Sequence, residues 1–279
     1  MKLTKKNVTS EELGFSPSHQ KYLLKYIAKM RTIRFYQLII IVSFIALWEI
    51  TTRLTIVNSF IFSSPSRVVK TFMEMAADGS IFYHIGITLL ETFISFSLVI
   101  VIGLLVAVLL WWNDTIAKIL EPYLVVLNSL PKSALAPVFI VWLGNNVKTI
   151  IVAAISVAVF GSIITLYTDF ANIEEDKIKL IRTLGGNKRD VLLKVVIPSN
   201  IPSLISVMKV NIGLSLVGVI IGEFLAAKAG LGYLIIYGSQ VFKLDWVIMS
   251  IVILCFVATG LYQLLAFFEK KYAGRSEMR

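Results

Sequence analysis

Two long uncharged apolar runs set the strongest limit on what this chain can fold into. Residues 149–168 are 20 consecutive positions without a charged side chain, and residues 246–268 are 23 such positions. A helix crosses the hydrocarbon layer of a bilayer with about 20 apolar residues. The composition agrees, because 57% of the residues are hydrophobic and 16% are charged, whereas about 25% are charged in an average soluble domain. The sequence predicts an integral membrane protein.

Further segments of this kind follow one another along the chain, and several end near a proline or a cluster of cations. Pro131 and Pro137 lie inside one of them. The pattern predicts an all-α fold with six transmembrane helices. These cover residues 35–54, 85–112, 122–143, 149–168, 201–226 and 246–268.

Lysine and arginine are distributed unequally between the segments that join the spans. If the N-terminus is cytoplasmic, nineteen of the 27 fall in inner segments and six in outer ones. Cytoplasmic segments of membrane proteins carry the excess of Lys and Arg. We therefore expect both termini in the cytoplasm, together with residues 171–198, which hold six of the cations and are here called the basic loop.

The basic loop has the pattern of two short helices around a hinge, and its second part reads KLIRTLGGNKRDVLLKVVIP. Asn172 is expected to cap a first helix whose first turn is acidic. Gly185 and Gly186 give the backbone freedom for a sharp turn. Asn187 is then expected to cap a second helix, which Pro198 closes.

Two interpretations of the basic loop fit this pattern equally well. Ile178, Ile181 and Leu184 recur at three-residue spacing and form an apolar edge. The loop could lie on the membrane surface with its cations against anionic lipid. It could instead insert its apolar edge into a cytoplasmic partner, and the periodicity does not separate the two.

The same stretch resembles the cytoplasmic signature loop of the permease subunits of bacterial ABC importers. That family pattern is Glu-Ala-Ala, three residues, Gly, nine residues, and then Ile-x-Leu-Pro. Gly185 and Pro198 stand at the matching places in this chain. The chain departs from the pattern at 179–181, where Lys-Leu-Ile replaces Glu-Ala-Ala.

This resemblance implies that the basic loop is a pair of coupling helices that sits in a groove of a cytoplasmic ATPase. Residues 184–190 would form the tip of the contact. The residues implied in this coupling are Lys179, Leu180, Ile181, Leu184, Gly185, Gly186, Asn187, Lys188, Arg189, Asp190 and Pro198.

Two more motifs are similar to one branch of that family, the permeases of the nitrate, taurine and alkanesulfonate type. Residues 128–144, NSLPKSALAPVFIVWLG, look like the third core helix of that branch, and residues 217–235, VGVIIGEFLAAKAGLGYLI, look like its segment with Glu and Gly-Leu-Gly-Tyr. The resemblance implies the type I ABC importer permease fold. The domains then expected are a basic cytoplasmic segment (1–34), an extra first transmembrane helix with an external linker (35–80), a permease core (81–270) that contains the basic loop, and a cytoplasmic tail (271–279).

Polar side chains inside apolar spans indicate where a solute could pass, because in lipid they are costly and usually face a cavity or a partner. Lys132 follows Pro131, which interrupts the helix, and its charge suits an anionic solute. Lys132 could instead pair with Glu91 or extend to the interface. Lys209 could likewise extend to the interface.

Glu223 precedes the glycine-rich turn of the same motif and could form part of an outer gate. It could also pair with Lys228 or with a neighbouring subunit. The residues expected to line the translocation path are Asn128, Ser129, Pro131, Lys132, Ser133, Lys209, Asn211, Ser215 and Glu223.

The chain lacks the G-x-x-x-x-G-K-[ST] pattern of a phosphate loop, so we expect no ATPase site, catalytic residue, metal or cofactor on it. ATP and Mg²⁺ are expected on the partner ATPase. The resemblance implies two ATPase subunits, a second permease copy in a homodimer, an extracytoplasmic solute-binding protein and a bacterial inner-membrane location with lipid contacts. No nucleic-acid partner is expected. The cargo implied is a small organic anion such as a sulfonate, or nitrate, or a vitamin precursor.

Two other functions are alternatives to an importer permease. A secondary transporter driven by an ion gradient usually shows inverted repeats and carboxylates in the middle of its spans, and here no repeat is evident. A membrane-embedded enzyme needs a nucleophile and base, or a metal cluster, at membrane depth. His19 and His84 are too far apart in the sequence to suggest one.

Overall fold

The computed structural model describes the backbone of residues 17–276 and the side chains of residues 25–270. The chain divides into two compact units, Met1–Ser66 and Arg67–Arg279. The helices are, in chain order, α1 (Pro17–Arg53), α2 (Ser59–Phe62), α3 (Pro65–Ala77), α4 (Ser80–Trp112), α5 (Asp114–Ser129), α6 (Lys132–Leu143), α7 (Val147–Ala171), α8 (Glu175–Thr183), α9 (Lys188–Val191), α10 (Ile197–Ser199), α11 (Ile201–Ala226), α12 (Leu231–Gln240) and α13 (Leu244–Ser276).

The first unit is dominated by α1, which is far longer than the predicted span of 35–54. Its apolar part, from Lys25 to Arg53, is long enough to cross a bilayer. Near the end of the helix, the Glu49 carboxylate accepts hydrogen bonds from Arg53 at 2.6 Å and from the backbone amide of Ser66 at 3.1 Å. Asn58 caps the short α2 by accepting the Phe60 amide. Glu49 therefore fixes the turn that follows α1.

The second unit is built around α4, α7 and α11, which pack together along their lengths. Small residues allow the close approach that apolar helices need in a membrane. A Cβ at Gly218 would lie 2.6 Å from the Cα of Ala154, and a Cβ at Gly222 would lie 2.8 Å from the Cα of Ile150. The contact between α7 and α11 thus depends on glycine at these two positions.

The prediction of six spans agrees with the structure if one bent pair of helices is counted as a single span. Five of the described helices are long and apolar enough to cross a membrane, and the pair α5 and α6 makes a sixth if it is counted as one span. The span expected over 122–143 consists of two helices that meet at 95°, so the interruption predicted at Pro131 is a sharp bend. Leu130 and Pro131 have extended backbone at the bend, since proline has no amide to continue the helix.

The basic loop forms the two expected helices, α8 and α9, with one cap misassigned. Asn172 ends α7, where its amide bonds to the Thr168 carbonyl, and Glu174 takes the N-cap position of α8. Asn172 therefore caps the C-terminus of α7 and not the N-terminus of α8. Asn187 caps α9 as predicted, in a reciprocal capping box with Asp190.

Gly185 and Pro198 shape the basic loop in different ways. Gly185 has φ +80°, the left-handed conformation that glycine adopts without cost, as the predicted hinge requires. Pro198 does not close the second helix. The chain stays helical through α10, because the segment Leu192–Val196 widens into a π-helical turn, with the Ile197 amide bonded to the Leu192 carbonyl. A widened turn relieves the clash between a proline ring and the preceding turn.

Candidate functional site

The exposed edge of the basic loop is formed by leucines, while its isoleucines point inward. Leu180 and Leu184 are 60% and 75% exposed. Ile178 and Ile181 instead pack against the buried cluster that includes Phe170. The apolar edge predicted from the three-residue spacing is therefore divided between the core and the surface.

Lys179, which stands where the family pattern has glutamate, is held within its own helix. Its ammonium group lies 3.0 Å from Glu175 and 3.6 Å from Asp176. All three side chains are largely exposed, and such surface pairs contribute about 0–1 kcal/mol. The lysine therefore supplies little to the stability of α8.

Asp190 orders the start of the second short helix. Its carboxylate accepts the Asn187 amide at 3.0 Å and pairs with Lys194 at 2.9 Å. The hydrogen bond from Lys194, followed by that from the Asn187 backbone, holds the pKa of Asp190 below its ordinary value. A Cβ at the neighbouring Gly186 would lie 2.9 Å from the Ile181 carbonyl oxygen, so α8 and α9 meet closely at the hinge.

Lys188 and Arg189 lie on the side of the basic loop that faces the end of α4. Lys188 donates a hydrogen bond to the Trp112 carbonyl at 2.7 Å and so caps the end of α4. Arg189 borders a cavity together with Trp112 and Leu193. Pro198, the last residue of the family pattern, is exposed.

A groove of about 320 Å³ runs between α7 and α11, and we call it the polar groove. Its volume falls in the range of small-molecule sites, about 300–1,000 Å³. Within it, Asn211 donates to the Ser162 hydroxyl at 3.0 Å, and Ser203 donates to the Asp169 carboxylate. The residues that line it are Gly161, Ser162, Thr165, Asp169, Ser203, Ser206, Val207, Val210, Asn211 and Leu214.

The bend between α5 and α6 approaches one wall of the polar groove. A Cβ at Gly161 would lie 3.3 Å from the amide oxygen of Asn128. The Lys132 ammonium group bonds to the Asn128 carbonyl, which replaces the backbone amide lost where the helix breaks. Ser129 and Ser133 are exposed on either side of Pro131. Of the predicted path residues, Asn128 and Asn211 are thus brought to the same groove.

Lys209 lies outside the polar groove. Its ammonium group is 2.8 Å from both carboxylate oxygens of Glu269 on α13, and its side chain is 16% exposed. Lys132 likewise does not pair with Glu91, which lies against Glu223. Ser215 is buried, and its hydroxyl has no hydrogen-bond partner among the described residues.

Glu223 is the centre of a buried junction between α4, α11 and α12, here called the glutamate junction. Its carboxylate accepts the Thr88 hydroxyl at 2.7 Å and the Gly232 amide at 2.5 Å. The Thr88 hydroxyl accepts the Leu231 amide at 2.8 Å. A carboxylate suits the first turn of a helix, where backbone amides are unpaired. Glu223 therefore anchors α12, and it forms no ion pair with Lys228 in the part of the chain that the structure describes.

Sequence reasoning missed Thr88, His84 and Asp169 as site residues. His84 accepts the Gly230 amide at 3.0 Å through Nδ1, so it also holds the turn before α12. Asp169 lies in the polar groove. The one available signal was polarity near the end of an apolar run, and it does not name a partner.

The amino-acid sequence is similar to those of known transport permeases. The family model described as binding-protein-dependent transport system inner membrane component matches residues 99–272. The formylaminopyrimidine transport permease protein ThiX of Halalkalibacterium halodurans is 28% identical over 67% of this chain and 74% of its own length. A Bacillus subtilis protein named as an aliphatic sulfonates transport permease, SsuC, is 25% identical over 81% of this chain and 82% of its own length. The taurine transport system permease protein TauC of Escherichia coli is 19% identical over 77% and 80%.

Solved structures give the same fold. A chain of the MetNI methionine ABC transporter in an inward-facing conformation superposes with a TM-score of 0.61, at 18% identity, over 70% of this chain and 97% of that one. A chain of an amino acid ABC transporter crystallised with histidines reaches 0.55, at 18% identity, over 72% and 97%. At this identity the likeness concerns the fold alone.

Proposed function

The chain belongs to the family of binding-protein-dependent transport system inner membrane components, and from that premise we propose how it takes part in uptake. It is a multi-pass inner-membrane permease subunit of an ABC importer, with the type I permease fold. We propose that it forms the path for a small polar solute delivered by an external binding protein. We also propose that a separate ATPase, which binds ATP and Mg²⁺, drives the transport.

The exposed leucines of the basic loop are the observation that carries this proposal. Leu180 and Leu184 project from a short helix whose other face is packed on the core. A rigid apolar projection flanked by cations fits a groove on a partner. Because Gly185 and the capping box at Asn187 fix the shape of the loop, movement of a docked ATPase would be transmitted to α7 and α11.

A second copy of this chain is the proposed partner within the membrane. At Leu130 and Pro131 the backbone leaves helical geometry, yet both residues are exposed in a single copy. Non-helical backbone at membrane depth requires cover by protein or a water-filled cavity. Val141 and Trp142, at the far end of α6, are 82% and 74% exposed. A homodimer that meets around the bent pair would cover these surfaces and enclose a path.

The lining of the polar groove indicates which kind of solute this proposed importer carries. Its lining offers hydroxyl groups, the amide of Asn211 and the carboxylate of Asp169, and no lysine or arginine. Lys132 and Lys209, which suggested an anionic solute, bond to a carbonyl and to Glu269 instead. Among the solutes named for the relatives, an uncharged pyrimidine or a zwitterion such as taurine fits this lining better than a simple sulfonate. Nitrate, which the family resemblance also suggested, fits it less well for the same reason.

The ATPase contact is tested by co-purification of the permease with its cognate ATPase. Leu184→Ser is expected to reduce recovery of the ATPase at least tenfold while the permease keeps its thermal stability, because this side chain is exposed. Lys177→Gln on the same helix is the matched control, because this exposed lysine is not among the residues implied in coupling, and it should keep recovery within about twofold. Equal recovery with Leu184→Ser and the unaltered chain would contradict the docking role.

Transport itself is tested in vesicles that hold the permease, the ATPase and the binding protein. Uptake should require ATP inside the compartment that contains the ATPase. Accumulation by the permease alone under a proton or sodium gradient would favour a secondary transporter instead. Thermal-shift screening of the binding protein with formylaminopyrimidine, taurine, alkanesulfonates and nitrate would identify the cargo.

The homodimer is tested by the mass of the purified permease, which should be twice the 31.2 kDa of one chain. Val141→Cys, introduced in a Cys255→Ser background, should cross-link two copies through a short bifunctional reagent. A monomeric mass together with no cross-linking would contradict the proposed dimer.

A further inference from the structure

A second cavity lies between the end of α4 and the basic loop, and we call it the tryptophan cavity. It has a volume of about 410 Å³ and is separate from the polar groove. Five of its six lining residues are apolar or aromatic, and the sixth is an arginine. They are Val108, Leu109, Trp112, Arg189, Leu192 and Leu193.

The tryptophan cavity carries one positive charge, on Arg189. In the part of the chain that the structure describes, Arg189 forms no salt bridge or hydrogen bond, and its attraction to the neighbouring Asp190 is the smallest of the effects that lower the pKa of that carboxyl group. Lys188 caps the Trp112 carbonyl and lies 5.6 Å and 5.7 Å from the ring centres of Trp111 and Trp112. Lys188 therefore lies beside the two tryptophans, and Arg189 is the cation that lines the cavity.

Two carboxylates of the adjoining segments are paired with lysines. Asp190 is bound by Lys194 and by the Asn187 amide. Asp114, which begins α5, is paired with Lys118 at 2.6 Å. Neither carboxylate lines the cavity. The free guanidinium group of Arg189 is therefore available to an external anion.

The cavity lies where a lipid headgroup would be found. Helix α4 is a 33-residue apolar helix that ends at Trp112, and tryptophan is enriched at the boundary between membrane and water. Leu109, one turn earlier, is 63% exposed, and Leu193 on the facing loop is 53% exposed. An acyl chain could lie on these leucines while its phosphate reaches Arg189. The charge distribution predicts that this end is cytoplasmic, the side on which anionic lipids attract basic segments.

We propose that the tryptophan cavity binds an anionic phospholipid, with its phosphate on Arg189 and its acyl chain against Leu109 and Leu193. A bidentate guanidinium suits a phosphate better than a point charge does. The exposed leucines of the proposed ATPase contact, Leu180 and Leu184, do not line this cavity. Arg189 belongs to residues 184–190, which the family resemblance implies in that contact, so the test measures ATPase recovery as well. Bound lipid would brace α9 against the end of α4 and so hold the basic loop in position.

Quenching of tryptophan fluorescence by brominated lipids tests this proposal on the purified full-length permease in vesicles. Trp48, Trp142 and Trp246 are replaced by Phe, which leaves Trp111 and Trp112 as reporters. Brominated phosphatidylglycerol should quench them with about a fivefold higher relative affinity than brominated phosphatidylcholine, because a basic residue near a membrane contributes about 1 kcal/mol.

Arg189→Gln should remove that preference, and Arg189→Lys should retain much of it. Arg182→Gln is the matched control, because it removes a cation of the same loop that does not line the cavity. Thermal unfolding of each variant shows that the chain remains folded. Equal quenching by the two lipids, or a preference that survives Arg189→Gln, would overturn the proposal.

Two further measurements distinguish lipid binding from binding of a free anion and from a contact with the ATPase. If inorganic phosphate displaces brominated phosphatidylglycerol when chloride at equal ionic strength does not, the site binds a free anion instead of lipid. If Arg189→Gln leaves the lipid preference unchanged but lowers co-purification of the ATPase, the residue belongs to the ATPase contact and the lipid site is refuted.

Discussion

Glu223 of α11 and Thr88 of α4 are joined by a hydrogen bond of 2.7 Å, although 135 positions separate them in the chain. The Thr88 hydroxyl also accepts the Leu231 amide, so one side chain connects two long helices to the start of α12. Both residues are at most 1% exposed. Buried polar groups that lose a partner keep the full cost of their desolvation.

Thr88→Val is therefore expected to destabilise the permease by about 1–3 kcal/mol, since Glu223 and the Leu231 amide each lose a partner. The measurement is thermal unfolding of the protein in detergent. Thr259→Val is the control, because its exposed hydroxyl bonds only to the Cys255 carbonyl of its own helix. An equal effect of the two changes would contradict the role assigned to Thr88.

Gly232→Ala tests the close contact between Glu223 and the turn before α12. A Cβ at this position would lie 2.9 Å from the Cβ of Glu223 and 3.2 Å from the Ile220 carbonyl oxygen. The substitution should lower the unfolding temperature and release α12, seen as faster hydrogen exchange across its first turn. Gly260→Ala, where a Cβ would meet nothing within 4 Å, should leave both quantities unchanged or raise stability slightly.

The Lys209–Glu269 pair gives a prediction about the translocation path. Lys209→Met alone should destabilise the chain, because it leaves a carboxylate without its partner. Adding Glu269→Gln should recover part of the loss, which a double-mutant cycle in thermal unfolding measures. Uptake by the double variant should stay near that of the unaltered importer. Loss of uptake in a stable double variant would indicate that Lys209 lines the translocation path.

The capping box at Asp190 predicts how the order of the basic loop depends on pH. The pKa of Asp190 is lowered in the folded chain, whereas an unfolded Asp titrates near 3.9. Its contribution is complete above the unfolded value and is lost as the pH falls through the lower folded value. Protection factors for the amides of residues 187–191 should be constant from about pH 5 to 7 and decrease below about pH 4. Asp190→Asn should remove this decrease.

Spans and local caps could be predicted because they depend on neighbouring residues. The span expected at 201–226 has the same bounds as α11. Asn187 and Gly185 were assigned correctly, since a cap and a left-handed turn are decided within a few positions. The interruption at Pro131 could be predicted within the span at 122–143, but its angle of 95° could not, because a Pro in a membrane helix can kink it slightly or break it, and the surrounding helices decide which occurs.

The sequence alone determined that this chain is a helical membrane protein with a basic loop of two helices, because hydrophobic runs, charge asymmetry and turn residues act locally. It also carried the motifs that indicated an importer permease. Only the tertiary structure decided the partners of its polar residues: Glu269 for Lys209, and Thr88 and Gly232 for Glu223. A buried charge bonds to whatever group the packing of distant helices brings within about 3 Å, and the sequence does not encode that distance directly.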